Sequence, residues 1–195
     1  MSAAKRILRS DVRRRRAERP AESRRAGDAT RTLRLIDRLV ALRPDCVAAY
    51  LSAGTEPDTT AVVEWLAGES VRVLLPASTD GAWSVPAWAD YLGADRLRTG
   101  PRDIAESVGD RLAADAIGDA DVVLCPGLAG TPAGVRLGRG GGWYDRVLPL
   151  SGAGATVILL LNDDEVMASL PSGPLDRRVD EILTPTRGMV CATAE

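Results

Sequence analysis

Histidine is absent from this chain of 195 residues. That absence removes the commonest general base at neutral pH, any Ser-His arrangement for nucleophilic catalysis and any zinc site built on imidazole. Lysine is almost absent, since Lys5 stands alone against twenty-four arginines. A lone lysine in so biased a chain fits a need for a compact point charge, such as one facing a phosphate, or chance survival on a solvated helix. Cysteine is scarce and odd in number. Cys46, Cys125 and Cys191 lie far apart, the first two in or beside apolar runs. Buried free thiols are therefore expected rather than a disulfide or a metal site. No apolar run approaches ~18 residues, the length that crosses a bilayer. The start, MSAAKRILRSDVRRRR, lacks the apolar core of a secretory signal. Together these absences predict a cytoplasmic protein in a reducing setting, with no membrane partner.

What is present describes a globular domain. Hydrophobic residues make up 45% and charged residues 27%, and the length suits one domain covering residues 1–195. The formal net charge of −2 hides an asymmetry: residues 1–25 carry ten basic and three acidic side chains, the remainder fifteen and twenty-four. Such a basic arm can bind nucleic acid. No aromatic residue interleaves it and the body is acidic, so that reading ranks second and no nucleic-acid partner is expected.

The stretch most suited to chemistry is Arg136 to Leu148, RLGRGGGWYDRVL. Glycines let the backbone reach positive φ and let a ligand approach closely. Free N–H groups in such a loop, opening onto a helix, form an anion site, and Arg136 and Arg139 add full positive charge. The stretch lacks the Gly-Lys-Ser/Thr ending of a Walker loop. It also lacks the third glycine and the preceding strand of a dinucleotide fingerprint. A phosphate cradle is the sharper reading; a glycine-rich surface turn is the plainer one.

The order of elements predicts an α/β fold. Helices are expected at 3–19, where Ile7, Leu8 and Val12 form a narrow apolar seam, and at about 22–42, with Leu33, Ile36, Val40 and their neighbours at helical spacing. On the first helix Lys5, Arg9 and Arg13 follow at i, i+4 and i+8, so all three share one face. A strand at Asp45–Ser52, a helix at Thr59–Leu66 and a strand at Ser70–Pro76 form a β-α-β unit, which implies a parallel sheet. The middle, 77–109, is irregular: short strands or a lid-like excursion, with Trp83 and Trp88 either core aromatics or the wall of an apolar pocket. Further helices are expected at Asp110–Ile117, from the glycine-rich loop through Leu148, and at Asp163–Leu170. Further strands are expected at Asp121–Cys125, Ala155–Leu161 and Glu181–Thr184.

Three blocks of residues carry a family resemblance: RLGRGGGWYD, AKRILR at the start, and YLSAGTEPDT in between. In this order and spacing the chain resembles 5-formyltetrahydrofolate cyclo-ligases, also called methenyltetrahydrofolate synthetases, from about Ala4 to Thr186. The resemblance implies a three-layer α/β sandwich with a largely parallel sheet, of the NagB/RpiA/CoA-transferase-like kind. It implies a monomeric ligase that uses ATP and Mg²⁺ to cyclise 5-formyltetrahydrofolate to 5,10-methenyltetrahydrofolate, releasing ADP and phosphate. Such chemistry relies on positioning and charge neutralisation, so a chain without histidine can carry it.

The resemblance also implies a site. Lys5, Arg6 and Arg9, with Arg136, Leu137, Gly138, Arg139, Gly140, Gly141, Gly142, Trp143, Tyr144 and Asp145, would hold ATP. Leu51 and Glu56, with Arg139 through Trp143, would face the folate, and Asp145 and Asp176 would hold Mg²⁺. Lys5, Arg136, Arg139 and Asp145 would be the catalytic group. Three positions depart from the family pattern: Gly130-Thr131 in place of Phe-Asp, Leu175 in place of a histidine before Asp176, and Glu106-Ser107 in place of Glu-Pro. They bear on the local shape of the folate pocket. The alternatives that follow are a nucleotide- or folate-binding paralogue without turnover and, ranked lower, a nucleic-acid-binding module.

Overall fold

The computed structural model describes residues 3–79, 81–171, 173 and 177–192, the side chain of Arg102 excepted. Its first helix, α1 (Ala3–Glu18), has no glycine or proline to interrupt it and ends before Pro20. The second, α2 (Ala21–Leu42), stops where Arg43 turns left-handed (φ 50°) and donates its N–H to the Leu39 carbonyl at 2.9 Å. Then come β1 (Cys46–Ala48), α3 (Thr60–Gly68), β2 (Arg72–Thr79) and β3 (Ala82–Asp90). The short pair β4 (Leu97–Thr99) and β5 (Ala105–Ser107) follows, and then β6 (Val122–Pro126). A second short pair, β7 (Ala129–Gly130) and β8 (Arg136–Leu137), leads into α4 (Trp143–Val147). The chain closes with β9 (Thr156–Leu160), β10 (Glu181–Leu183) and β11 (Gly188–Val190).

Seven strands form one sheet in the order β11-β10-β9-β6-β1-β2-β3. The five inner strands run parallel, and β3 and β11 add antiparallel edges. The period-2 alternation of strands sorts their side chains onto two faces. Val47, Val73, Leu75, Val122, Leu124, Ile158 and Leu160 meet Leu35 and Leu39 of α2 and Val62, Val63 and Leu66 of α3. Ala48, Leu74, Val123, Cys125 and Leu159 meet Val147 beside Trp88 and Ile117. This is the expected three-layer α/β arrangement with a largely parallel sheet. Each fully buried aliphatic side chain contributes roughly 1.5–3 kcal/mol relative to an exposed one.

The connection from β1 runs to β2 on one side, whereas that from β6 runs to β9 on the other. The winding therefore reverses between β1 and β6. In open α/β sheets the crevice beyond the carboxyl ends of such strands is where ligands bind.

Several expectations need correction. The inward face of α2 carries Leu35, Leu39 and the buried Arg31, while Leu33 and Val40 are exposed. On α1, Val12 is buried, but Ile7 faces outward. The expected strand over Asp45–Ser52 is regular only at Cys46–Ala48, because the chain then leaves the sheet towards the crevice. In place of a helix at Asp110–Ile117, Leu112 bridges to Trp88 and a 3₁₀ segment covers Ala114–Asp119. The helix expected over Asp163–Leu170 is a single 3₁₀ turn, Asp163–Glu165, after which Val166 pairs with Gly130. Glu165 is turned back onto the Asn162 backbone and onto Arg16, so the following residues run out along β7. The irregular middle is a hairpin, β2–β3, with the β4–β5 flap beside it.

Candidate active site

A cavity of about 370 Å³ opens where β1, β2 and β6 end, beside the reversal of winding. That volume lies in the range of small-molecule sites, roughly 300–1,000 Å³. The cavity has two kinds of wall. Lys5, Arg9 and Arg13 of α1 and the loop 136–142 form a cationic, glycine-rich side. Tyr50, Leu51, Leu75, Trp83 and Ile104 form an apolar and aromatic side.

The position of α1 is set by two buried residues of its inward face, Val12 and Arg16. Val12 packs with Leu128, Ala129 and Leu137, so the helix lies along the β7–β8 pair. Arg16, fully buried, donates Nε and Nη2 to the Glu165 carboxylate, both at 2.7 Å, and Nη2 also to the Gly127 carbonyl at 2.7 Å. With that anchor the adjoining flank of the same face, Arg9 and Arg13, meets the glycine-rich loop. Arg9 Nε donates to the Gly138 carbonyl and Arg13 Nη2 to the Arg139 carbonyl, each at 2.8 Å. Two consecutive carbonyls of the loop are thus held by arginines one helical turn apart.

The loop bends at Gly140 (φ 103°) and Gly142 (φ 67°), conformations that side chains rarely adopt. A Cβ at Gly140 would also stand 3.5 Å from the Arg9 guanidinium. The helix expected to run through Leu148 is only the five residues of α4, followed by a 3₁₀ turn containing Pro149. Its dipole adds little, so the loop amides and the cations carry the anion-binding character.

Arg136 is buried, ion-paired to Asp145, and donates Nη1 to the Pro126 carbonyl at 3.3 Å. Its guanidinium lies 5.8 Å from the centre of the Tyr144 ring. Trp143 meets both Tyr144 and Trp88 edge-to-face, each with ring centres 4.9 Å apart. Three buried polar atoms around the cavity have no partner among the described residues: Arg136 Nε, Trp143 Nε1 and Tyr144 Oη. Burial also pushes the Tyr144 phenol well above its usual range, which keeps it a donor. Burial lifts Cys125, behind this wall, to about 11, so it is an inert thiol.

On the far side Glu56 accepts the Ala53 N–H at 3.0 Å with one carboxylate oxygen and Arg139 Nη1 at 3.0 Å with the other. This ion pair joins the β1–α3 loop to the glycine-rich loop across the cavity.

The structure thus brings Lys5, Arg9, Leu51, Glu56 and all ten residues from Arg136 to Asp145 to one cavity. Arg6 is exposed and does not line it. Asp176 and Leu175 lie outside the described residues. Gly130 and Thr131 do not line it either: a Cβ at Gly130 would fall 2.7 Å from Leu159 Cδ2, so that departure belongs to packing. Glu106 is buried beneath the flap, accepting Ser78 N–H and Arg111 Nη2, both at 3.0 Å. Sequence reasoning placed Arg13 on the right helix face without giving it a role. It left Trp83 open and missed Tyr50, Leu75, Ile104 and Ala105, which carry no local signal. All three cysteines are free and buried, as expected. No helix among the described residues is long and apolar enough to cross a membrane.

Known proteins resemble this chain in sequence and in fold. The model of the 5-formyltetrahydrofolate cyclo-ligase family matches residues 1–185. A 5-formyltetrahydrofolate cyclo-ligase of Mycolicibacterium smegmatis is 39% identical over 147 residues, 74% of this chain and 75% of that one. The solution structure of Aquifex aeolicus 5,10-methenyltetrahydrofolate synthetase superposes with a TM-score of 0.83 at 24% identity, covering 98% of this chain and 94% of that one. The 5,10-methenyltetrahydrofolate synthetase of Mycoplasma pneumoniae does so with a TM-score of 0.74 at 17% identity, covering 93% and 98%. At those identities the two structures establish the fold, while the family model and the Mycolicibacterium relative establish kinship. The chain belongs to the 5-formyltetrahydrofolate cyclo-ligase family.

Proposed function

We infer that the protein catalyses the ATP- and Mg²⁺-dependent cyclisation of 5-formyltetrahydrofolate to 5,10-methenyltetrahydrofolate, with release of ADP and phosphate. The observation that carries this reading is the two-sided cavity: a cationic glycine loop faces an apolar, aromatic wall in a single space. A triphosphate needs the first wall and a flat reduced folate needs the second.

ATP supplies the phosphoryl group that turns the formyl oxygen into a leaving group, and Mg²⁺ offsets charge on the phosphates. The chain's own residues bind and orient. Lys5 places a compact charge at the cavity wall, Arg139 and Arg136 add guanidinium charge, and the loop amides accept the closest approach of phosphate oxygens. Asp145, in the first turn of α4, offers a hard carboxylate for Mg²⁺. Among the described residues no group of three or more acidic or thiol side chains gathers for a metal. A cation sharing one or two carboxylates with phosphate oxygens fits that donor set. Glu56 offers acceptor oxygens to pterin N–H groups, and Leu51 supplies apolar contact. Holding N10 against the formyl carbon in a water-poor space then supplies much of the rate.

The nucleic-acid alternative loses support because six arginines of the first segment are engaged within the chain. Arg9 and Arg13 serve the loop, Arg16 is buried on Glu165, Arg14 pairs with Glu18, and Arg15 and Arg19 pair with Asp164. The test is absorbance at the methenyl chromophore with 5-formyltetrahydrofolate, Mg²⁺ and ATP. Product should appear with equimolar ADP; no signal from folded protein at micromolar concentration would overturn the enzymatic reading.

A further inference from the structure

The apolar end of the cavity has a chemistry that separates it from the phosphate end. It is walled by Leu75 and Pro76 of β2, Trp83 of β3, and Ile104 and Ala105 at the flap. In the main sheet Leu75, Pro76 and Trp83 belong to β2 and β3, whereas the chain reaches the glycine-rich loop from β6, on the other side of β1, through the β7–β8 pair.

Trp83 is fixed rather than loose. Its indole Nε1 donates to the Pro101 carbonyl at 3.2 Å, which ties the ring to the flap. The flap in turn is fastened to β2 by the buried Glu106, which accepts the Ser78 amide at 3.0 Å and guanidinium groups of Arg111 and Arg98 at 3.0 and 3.4 Å. Gly100 allows the turn to lie on that carboxylate, since a Cβ there would fall 2.5 Å from Glu106 Cδ. With the indole N–H engaged, the five side chains of this wall offer a ligand no donor or acceptor.

We propose that Trp83 is a specificity-determining platform for the p-aminobenzoyl ring of the folate substrate. The proposal rests on the folate reading of the cavity. Three flat rings enter that reaction: adenine, the pterin and the p-aminobenzoyl ring. Adenine and the pterin carry hydrogen-bonding edges, and burying these against a wall without polar side chains is unfavourable. The benzoyl ring has no heteroatom in its edge, and stacking on a fixed indole suits it. The Glu56 carboxylate and the glycine-rich loop with Arg139 offer the polar rings hydrogen-bonding partners instead.

Steady-state kinetics of Trp83→Ala and Trp83→Phe test this. In Trp83→Ala the KM for 5-formyltetrahydrofolate should rise about tenfold or more, the scale of one lost stacking partner, with kcat and the KM for ATP within about twofold. Trp83→Phe loses the bond to Pro101 but keeps a ring, and should restore most of the folate KM. A rise confined to the KM for ATP would put adenine on the wall and overturn the proposal, as would unchanged constants in Trp83→Ala. A second measurement needs no turnover. Titration with p-aminobenzoylglutamate alone should quench tryptophan fluorescence in the wild type, and Trp83→Phe should abolish that quench while Trp65, Trp88 and Trp143 remain. Quenching in a wild type that makes no product would sink the enzymatic reading and keep the platform; no quenching, or quenching that survives in Trp83→Phe, would sink the platform.

Discussion

Replacing Glu165 with alanine tests how the fold delivers the cations of α1 to the cavity. The Arg16–Glu165 pair is almost fully enclosed, with the two side chains 2% and 1% exposed. Glu165 accepts two hydrogen bonds from Arg16 at 2.7 Å, and two from Asn162, at 2.9 Å from the backbone and 2.8 Å from the side chain. Removing the carboxylate leaves the guanidinium buried with the Gly127 carbonyl as its remaining partner, which costs about 3–5 kcal/mol by comparison with other broken buried pairs. Against a typical domain stability of roughly 5–15 kcal/mol, that is a large fraction. Replacing the pair together, Arg16→Met with Glu165→Leu, should cost much less than the sum of the single changes, because no charge is then stranded. Urea unfolding at pH 7 of the wild type, Arg16→Met, Glu165→Leu and the double variant measures this cycle. Where the single variants stay folded, the KM for ATP should rise, since α1 carries Lys5, Arg9 and Arg13. Burial works to raise the Glu165 carboxyl, but the hydrogen bond and charge of Arg16 outweigh it and hold it below the usual value. A depressed folded value means that the unfolded chain binds more protons around that pH. The contribution of the pair is therefore complete above about pH 4.3, the usual glutamate value, and fades as pH falls through the lower folded value. The stability gap between wild type and Glu165→Gln should shrink at acid pH. A cost below about 1 kcal/mol for Glu165→Ala, with additive single changes, would refute the reasoning.

Other changes separate site from scaffold. Lys5→Ala should raise the KM for ATP strongly in the methenyl assay, and an unchanged value would remove Lys5 from the site. Asp145→Asn should lose Mg²⁺-dependent turnover, whereas full activity would show that the acid serves only Arg136 and the start of α4. Gly134→Ala should destabilise by about 2 kcal/mol or more in urea unfolding. Its φ is +76° and a Cβ would stand 2.5 Å from the Val179 carbonyl. Gly154→Ala, with nothing within 4 Å of the added carbon, is the matched control and should be near neutral.

Much of the scaffold was legible because its signals are local. Short apolar runs in SVRVLLP and ATVILLL specified buried strands, and Pro20 bounded the first helix. The expectation at Asp163–Leu170 failed because Glu165 is held by Arg16, 149 residues away, and no local propensity encodes that partner. The same reason hid Arg31, which looks like one more surface arginine. It is buried, donating to the Leu161 carbonyl at 3.1 Å and to Asn162 Oδ1 at 2.9 Å. Gly130 read as a change in the ligand pocket, yet contact with Leu159 and Ile182 makes it a packing position.

The sequence by itself determined the α/β class, the phosphate-suited loop and the shared face of Lys5, Arg9 and Arg13, since each follows from periodicity or residue chemistry within a few positions. Only the tertiary structure decided that Arg9 and Arg13 hold two consecutive loop carbonyls, that Arg139 reaches Glu56, and that Trp83 faces the cavity while Trp88 fills the core. These contacts join segments far apart in the chain, and what brings them together is the reversal of winding between β1 and β6.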